Sequence, residues 1–297
     1  MRDYWSLAFL IIFVLLGAYG EAIEKEINNQ GVEVAHDPAS ASLKNKIETE
    51  VLSLAQQDLT LPTDGYRLDI LSTDFSLPAA DVYRMLARAH GESYPMIYTL
   101  PLIGTYTMSA QAVDNDHYLV NTYLEGYAPF QVSNVMTPLY VLSQRKLYQF
   151  DAKQYFGRED VWQSSRQAFY YPRGDCEDHA IVLADWLIEK GEDARVVLGE
   201  VEDGGGHAWV VLFKNGKEYV LEATQKEGLS RTKPYPVAVL YQDYHPHYMF
   251  NREYFWENTG SKYTTQYSNA QWKKKSRYSI IGHQGKRFKE NAATATH

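Results

Sequence analysis

The chain's one cysteine lies in Arg173-Gly174-Asp175-Cys176-Glu177-Asp178-His179-Ala180, where a tight turn precedes an amphipathic stretch. Apolar residues recur at helical spacing over 180–188, and Gly191 ends the pattern. Asp175 is a typical N-cap residue, and Asp178 three residues later gives a capping-box-like pair. The sequence therefore predicts a helix over residues 176–190 with Cys176 in its first turn.

Three apolar stretches follow this helix, over residues 194–199, 208–213 and 218–223. The second and third are joined by Lys214-Asn215-Gly216-Lys217, and Asn-Gly is the strongest short signal for a two-residue β-hairpin. A helix followed by an antiparallel sheet is an α+β arrangement. Working outward, we expect further helices over residues 78–89, 139–149 and 159–169, and short strands between residues 96 and 127.

The position of Cys176 suits a nucleophile. The first turn of a helix presents unsatisfied N–H groups and the positive end of the helix dipole, and both favour a thiolate. The same N–H groups can stabilise an oxyanion if the thiolate attacks a carbonyl. The alternative is an inert thiol, since buried cysteine usually behaves as a small apolar side chain.

A base and an acid follow at useful positions. His207 comes after Gly204-Gly205-Gly206 and opens a predicted strand, and Glu222 lies on the next strand across the hairpin. A turn centred on residues 215–216 pairs position 222 with a residue near 209. Glu222 can therefore hold the Nδ1–H group of His207 and orient Nε2 toward the sulfur of Cys176.

The composition limits the class of protein. With 297 residues, 45% hydrophobic, 6 Trp and 24 Tyr, the chain can bury a substantial core and is not disordered. The net charge is −8, yet residues 261–297 hold eight Lys or Arg against one Glu. This basic segment could contact a membrane surface or an envelope polymer, fold back on the acidic body, or remain solvated.

The N-terminal residues read as a targeting segment. An apolar run over residues 7–16 is too short for a comfortable membrane span and fits a signal peptide ending near Gly20, with an uncleaved anchor as the alternative. We therefore expect an exported protein, periplasmic or extracellular. Export excludes nucleic acid as a partner, although Lys273-Lys274-Lys275-Ser276-Arg277 between aromatic residues is typical of a nucleic-acid patch.

Three ordered motifs resemble a known family. They are Gly174-Asp175-Cys176-Glu177-Asp178, Gly206-His207-Ala208-Trp209-Val210 and Val220-Leu221-Glu222-Ala223-Thr224. The set resembles the transglutaminase-like superfamily, and is most similar to bacterial transglutaminase-like cysteine peptidases. The resemblance covers about residues 135–250. It implies a papain-like or transglutaminase-like core and a catalytic triad of Cys176, His207 and Glu222, where the family usually has Asp at the third position.

The resemblance also sets the expected organisation. We expect a signal peptide or anchor at 1–20, a linker at 21–42, an N-terminal mixed α/β extension of unknown role at 43–134, the catalytic domain at 135–250 and a basic tail at 251–297. The implied function is a cysteine peptidase acting on a protein or peptide through a thioester. A protein-amine transglutaminase with the same triad and a non-catalytic binding module are the alternatives.

Two further expectations concern the site. Gln163 and Trp162 are the candidates for an oxyanion donor, although both could equally be helix surface and core. No cofactor is expected. Only the resemblance suggests calcium, which would bind at an acidic patch around the nucleophile. That patch consists of Asp175, Glu177, Asp178 and Asp185.

Overall fold

The computed structural model describes residues 66–202, 205–226, 229 and 236–280. Its helices are α1 (Ala79–Ala87), α2 (Thr137–Arg145), α3 (Asp151–Gln154), α4 (Ser165–Tyr170) and α5 (Cys176–Glu189). Its strands are β1 (Tyr66–Ile70), β2 (Ser76–Pro78), β3 (Met96–Leu100), β4 (Gly104–Gln111), β5 (His117–Leu119), β6 (Leu147–Tyr148), β7 (Arg173–Gly174), β8 (Asp193–Val201), β9 (Gly205–Lys214), β10 (Lys217–Leu221), β11 (Tyr244–Phe250), β12 (Tyr254–Asn258) and β13 (Trp272–Ile280).

An eight-stranded antiparallel sheet organises the described residues, in the order β10-β9-β8-β11-β12-β13-β1-β2. Smaller sheets of three strands (β3-β4-β5) and two strands (β6-β7) lie beside it. Helix α5 packs against β8 and β9, and every residue from Glu177 to Leu187 is buried. A helix buried on all sides reads as apolar around its circumference, as this one largely does. The predicted α+β class, with the cysteine-bearing helix packed on an antiparallel sheet, is confirmed.

The β9–β10 hairpin forms as the Asn-Gly signal predicts. Asn215 and Gly216 both have positive φ angles, of 52° and 70°, as a type I′ turn requires. Leu221 pairs with Val210, so the next residue, Glu222, stands opposite Trp209. The register inferred from the turn is therefore correct.

The predicted helices differ from the observed ones mainly at their ends. Helix α1 is confirmed within residues 78–89. Helix α2 starts earlier than predicted, at Thr137, because Pro138 suits the first turn of a helix. Helix α4 begins only at Ser165, since Ser164 and Gln167 form a capping box there.

The described part of the basic segment contributes β13 to the sheet. The structure differs here from the expected tail at 251–297, because β12 and β13 lie between β11 and β1. Charges within it are neutralised locally: Lys275 Nζ is 3.1 Å from Glu257 Oε2, and Arg277 NH2 is 2.6 Å from Glu253 Oε1. Strand β1 closes on β13, so part of the expected N-terminal extension completes the same sheet. The expected signal segment at 1–20 and linker at 21–42 lie outside the described residues. Within the described ranges, no helix is long and apolar enough to cross a membrane.

Candidate active site

Cys176 is the first residue of α5, and its side chain is partly exposed. Position 174, two residues before Cys176, must be glycine. A Cβ on Gly174 would lie 2.3 Å from Asp178 Oδ2 and 2.7 Å from its Cβ atom. The close approach of α5 to β7 therefore depends on the missing side chain at position 174.

The capping pair predicted for this helix does not form. Asp175 occupies the N-cap position, but its side chain makes no capping hydrogen bond. Asp178 instead accepts a hydrogen bond from the backbone N–H of Gln163, at 2.7 Å from Oδ1. The carboxylate that was expected to cap α5 is used to tie the 160–164 segment to it.

His207 and Glu222 meet across the hairpin. His207 Nε2 lies 2.9 Å from Glu222 Oε2, and both side chains are largely buried. Glu222 Oε2 also accepts from the hydroxyl of Tyr244 at 2.6 Å, while Oε1 accepts from the N–H and hydroxyl of Thr224 at 2.9 and 2.6 Å. Four donors therefore converge on this one carboxylate.

This environment holds both groups in their charged forms. Burial by itself opposes the charge on His207, but hydrogen bonds to Cys176 and Glu222 outweigh it and raise the His207 pKa to about 10. Burial likewise opposes ionisation of Glu222, yet the hydrogen bond from His207 leads the opposing effects and lowers the Glu222 pKa to about 2. An imidazolium–carboxylate pair therefore stands beside the thiol at neutral pH.

The ring nitrogens have exchanged the roles expected from sequence. Glu222 holds Nε2 rather than Nδ1, so Nδ1 is the nitrogen left for an interaction with Cys176, which raises the His207 pKa. The aromatic neighbours of His207 accompany this orientation: the ring stacks on Trp209 at 6.1 Å between centroids and meets the edge of Tyr244 at 6.2 Å. Packing against two rings selects the ring orientation, which hairpin register alone does not specify.

Gln163 and Trp162 are not brought to the site as free donors. The Gln163 backbone donates to Asp178, and its amide group donates to Tyr155 Oη and Arg173 O, both at 3.0 Å. Trp162 donates through Nε1 to Asp160 at 2.5 Å and through its backbone to Gln111 O. With their N–H groups engaged inside the fold, both residues serve the structure around the site.

A group of buried carboxylates surrounds the start of α5, next to Cys176. It consists of Asp151, Asp175, Glu177 and Asp178, each offering one oxygen within 4.8 Å of the others. Glu177 also touches the site, since Cys176 Sγ donates to its Oε2 at 3.4 Å. The sequence indicated three of the four residues, but Asp151 comes from α3 and was missed. Asp185, the fourth member of the expected acidic patch, instead forms an ion pair with Arg252 at 2.5 Å.

These carboxylates have the properties of a site for a hard cation. Burial first, and the charge of Asp175 second, raise the pKa of Asp151, Glu177 and Asp178 well above their usual values. Each of the four groups keeps one buried oxygen without a hydrogen-bond partner among the described residues. The nearby ammonium group of Lys146 donates to the backbone carbonyls of residues 168 and 171. Oxygen ligands of this kind suit Ca²⁺.

Tyr244 and Thr224 are site residues that sequence reasoning did not assign. Thr224 lies two residues after Glu222 in the sequence. Because threonine often hydrogen-bonds to groups close by in the chain, the sequence could have indicated this contact. Tyr244 arrives from β11, which is not adjacent to β10 in the sheet. No local pattern indicates that contact.

Comparison with known proteins gives a partial match that contains this site. Residues 160–279 match a family described as the CEP76 peptidase-like domain, and the range includes Cys176, His207 and Glu222. Over 83 residues, the chain is 30% identical to the centrosomal protein of 76 kDa from Mus musculus, which is 24% of this chain and 13% of that protein. The match thus spans far less than two thirds of the relative.

Solved structures give a partial likeness as well. Legionella pneumophila LapG is 20% identical, covering 43% of this chain and 68% of its own, with a TM-score of 0.35. Its calcium-bound form is 18% identical, covering 52% and 81%, again with a TM-score of 0.35. A structure described as a candidate cysteine protease from Cytophaga hutchinsonii is 14% identical, covering 54% and 49%, with a TM-score of 0.27.

Proposed function

We propose that this protein is a cysteine-dependent acyl-transfer enzyme, and that it cleaves a protein or peptide through a thioester on Cys176. One observation carries the proposal. The imidazole of His207 is hydrogen-bonded to the carboxylate of Glu222, with Nε2 and Oε2 2.9 Å apart, and Cys176 is close enough to raise the His207 pKa. A thiol beside a base that an orienting acid holds is the signature of an activated nucleophile. The match of residues 160–279 to a peptidase-like family supports the same assignment.

The charge on Glu222 favours proton transfer from the Cys176 thiol to His207 as the reaction begins. With a His207 pKa of about 10, the imidazole keeps its proton at neutral pH, and the Sγ atom of Cys176 is the natural source of that proton. The thiolate attacks the peptide carbonyl, and an S–C bond forms. The imidazolium then gives its proton to the leaving nitrogen as the C–N bond breaks.

Deacylation reverses the proton movement. A water molecule gives a proton to His207 and attacks the thioester carbonyl, and the C–S bond breaks to release the carboxylic acid and the thiolate. Glu222 stays ionised throughout, because its low pKa and four donors keep it so. It stabilises the imidazolium and fixes the ring orientation, as the acid of a serine-protease triad does.

A divalent cation belongs to the proposal, held by Asp151, Asp175 and Glu177 with Asp178. When bound, it would supply positive charge to these buried carboxylates, whose pKa values burial raises. Glu177 accepts a hydrogen bond from the thiol of Cys176. With the cation bound, Glu177 could remain ionised without taking the proton of that thiol. The residues of this group support the first turn of α5, where the nucleophile sits.

A cleavage assay on a defined peptide mixture tests the proposal. The full chain and the Cys176→Ala variant are incubated with denatured protein fragments in calcium buffer, and new amino termini are measured by mass spectrometry. New termini from the wild type alone are expected. Incorporation of an added labelled amine without new termini would assign the amine-transfer alternative, and no reaction by either protein would contradict acyl transfer.

A further inference from the structure

The proposed triad of Cys176, His207 and Glu222 includes no side chain that donates to the oxyanion. The first-turn N–H of Cys176 has no acceptor within its own helix and can supply one hydrogen bond. The expected side chains, Gln163 and Trp162, donate elsewhere. A second donor must come from another element that reaches the start of α5.

Strand β6 reaches that place. Tyr148 pairs with Gly174 in the parallel β6–β7 ladder, two residues before the nucleophile, and Gln149 N donates to Gly174 O at 3.0 Å. Side chains of paired positions project to the same side of a ladder. The missing Cβ of Gly174 points at Asp178. The Tyr148 side chain is therefore directed onto the first turn of α5.

Ring contacts agree with that direction. The centroid of the Tyr148 ring lies 6.1 Å from that of His179, three residues beyond Cys176 on the same helix, and 5.2 Å from that of Phe150. Residues three apart on a helix are neighbours on one face. Phe150 and His179 thus hold the tyrosine ring beside the nucleophile rather than away from it.

The hydroxyl of Tyr148 is sheltered and uncommitted. Although 37% of the residue's surface is exposed, burial is the largest cause that raises the pKa of the hydroxyl, so the hydroxyl is the sheltered end. Among the charged groups that raise this pKa, Cys176 has the largest effect. Within the described part of the chain, the hydroxyl makes no hydrogen bond. A neutral O–H donor without an acceptor among the described residues therefore lies at the first turn of α5, where Cys176 is.

We infer that Tyr148 is a catalytic residue, an inference that rests on the proposed function. Its hydroxyl donates a hydrogen bond to the oxyanion that forms when Cys176 attacks the substrate carbonyl. The backbone N–H of Cys176 is the second donor. As the thiolate adds to the carbonyl carbon, the C=O electron pair moves onto oxygen. The hydroxyl and the amide stabilise that charge, and no proton is transferred to it. When the C–N bond breaks, the electron pair returns and the hydrogen bond weakens.

Two small probes distinguish this role from activation of the thiol. Acylation by p-nitrophenyl acetate passes through a tetrahedral oxyanion, whereas alkylation by iodoacetamide does not. Tyr148→Phe keeps the ring and removes the hydroxyl. We expect its acylation rate to fall about 10- to 100-fold, since a single oxyanion donor is worth about 10²- to 10³-fold in kcat and an activated ester needs it less. Alkylation should stay within about twofold of wild type.

Controls make each outcome decisive. Tyr263→Phe removes a hydroxyl from an exposed tyrosine and should change neither rate. An unchanged acylation rate in Tyr148→Phe overturns the inference. An equal fall in both rates also overturns it, because the hydroxyl would then act on the thiolate. The proposed function fails differently: Cys176→Ala would be acylated as fast as wild type. Thermal midpoints of all variants confirm that each is folded.

Discussion

His207 Nε2 and Glu222 Oε2 lie 2.9 Å apart, joining two strands that a two-residue Asn-Gly turn connects. The pair is local in the chain, so it forms whenever the hairpin forms. Its orientation is not local, because Tyr244 from β11 donates to the same carboxylate oxygen at 2.6 Å. The acid is thus fixed from three sides before any substrate arrives.

Replacing His207 by Ala should reduce the alkylation of Cys176 at pH 7. Without the imidazole the thiol loses its proton acceptor, and an ordinary cysteine is only a few per cent thiolate at this pH. We expect a loss of about 10-fold, measured as the second-order rate with iodoacetamide. Replacing His90, an exposed histidine paired with Asp116, by Ala is the matched control and should leave the rate unchanged. Equal rates in wild type and His207→Ala would contradict the activated thiol.

The ion pair should give stability a defined pH window. The folded pKa of His207, about 10, is above its unfolded value near 6.5, so its contribution is complete below about 6.5 and is lost as pH rises toward 10. The folded pKa of Glu222, about 2, is below its usual 4.5, so its contribution is complete above 4.5 and is lost as pH falls toward 2. The thermal midpoint of the wild type relative to the His207→Ala/Glu222→Ala double variant should be highest between about pH 4.5 and 6.5. A pH-independent difference would contradict the pair.

Glu222→Gln should damage both stability and rate. Four donors point at the carboxylate, and an amide offers one oxygen and an NH2 group, so some donors lose their acceptor. We expect a loss of about 1 to 3 kcal/mol in unfolding free energy, and a 10- to 10³-fold loss in acylation rate. Glu222→Asp keeps the charge and should retain more activity. Tyr244→Phe removes one donor alone and should lower the rate least. Wild-type rates in both Glu222 variants would make Glu222 a strand residue only.

Calcium should raise the thermal midpoint of the full chain, and EGTA should reverse the change. A ligand that binds only the folded state stabilises it by RT ln(1 + [L]/Kd), about 2.7 kcal/mol at a concentration 100 times Kd. Asp151→Asn should abolish the shift, because it removes one of the proposed calcium ligands. Asp151 is the ligand chosen because it does not touch the nucleophile. Asp74→Asn, an exposed acid on the β1–β2 turn, is the control and should keep it. A midpoint unaffected by calcium in the wild type would remove the cation from the proposal.

Gly174→Ala should disrupt the site although it adds a single methyl group. The new Cβ would lie 2.3 Å from Asp178 Oδ2, so the start of α5 must shift. We expect a cost of about 1 to 3 kcal/mol and a slower alkylation of Cys176. Gly91→Ala is the control for backbone strain alone. The φ angle of Gly91 is +81°, which strains an alanine, but nothing lies within 4 Å of the added Cβ. That variant should lose some stability and keep the alkylation rate.

The sequence by itself determined the parts that depend on near neighbours. Helical spacing after Cys176 identified α5, and the Asn215-Gly216 turn set the β9–β10 register, which brought His207 and Glu222 together. Both results follow because turn chemistry and apolar periodicity act over a few residues. The α+β class followed from the same local patterns.

Only the tertiary structure decided the contacts between distant elements. Packing of His207 against Trp209 and Tyr244 selected Nε2 for Glu222, the reverse of the expected nitrogen. Burial of Asp178 against Gln163 replaced the expected cap, and α3 brought Asp151 into the carboxylate group. Four of the basic residues expected in a tail lie in β13, because a sheet closes by long-range pairing that has no local signal; they are Lys273, Lys274, Lys275 and Arg277. Local sequence sets which side chains are available, whereas close packing sets which atoms of those side chains meet.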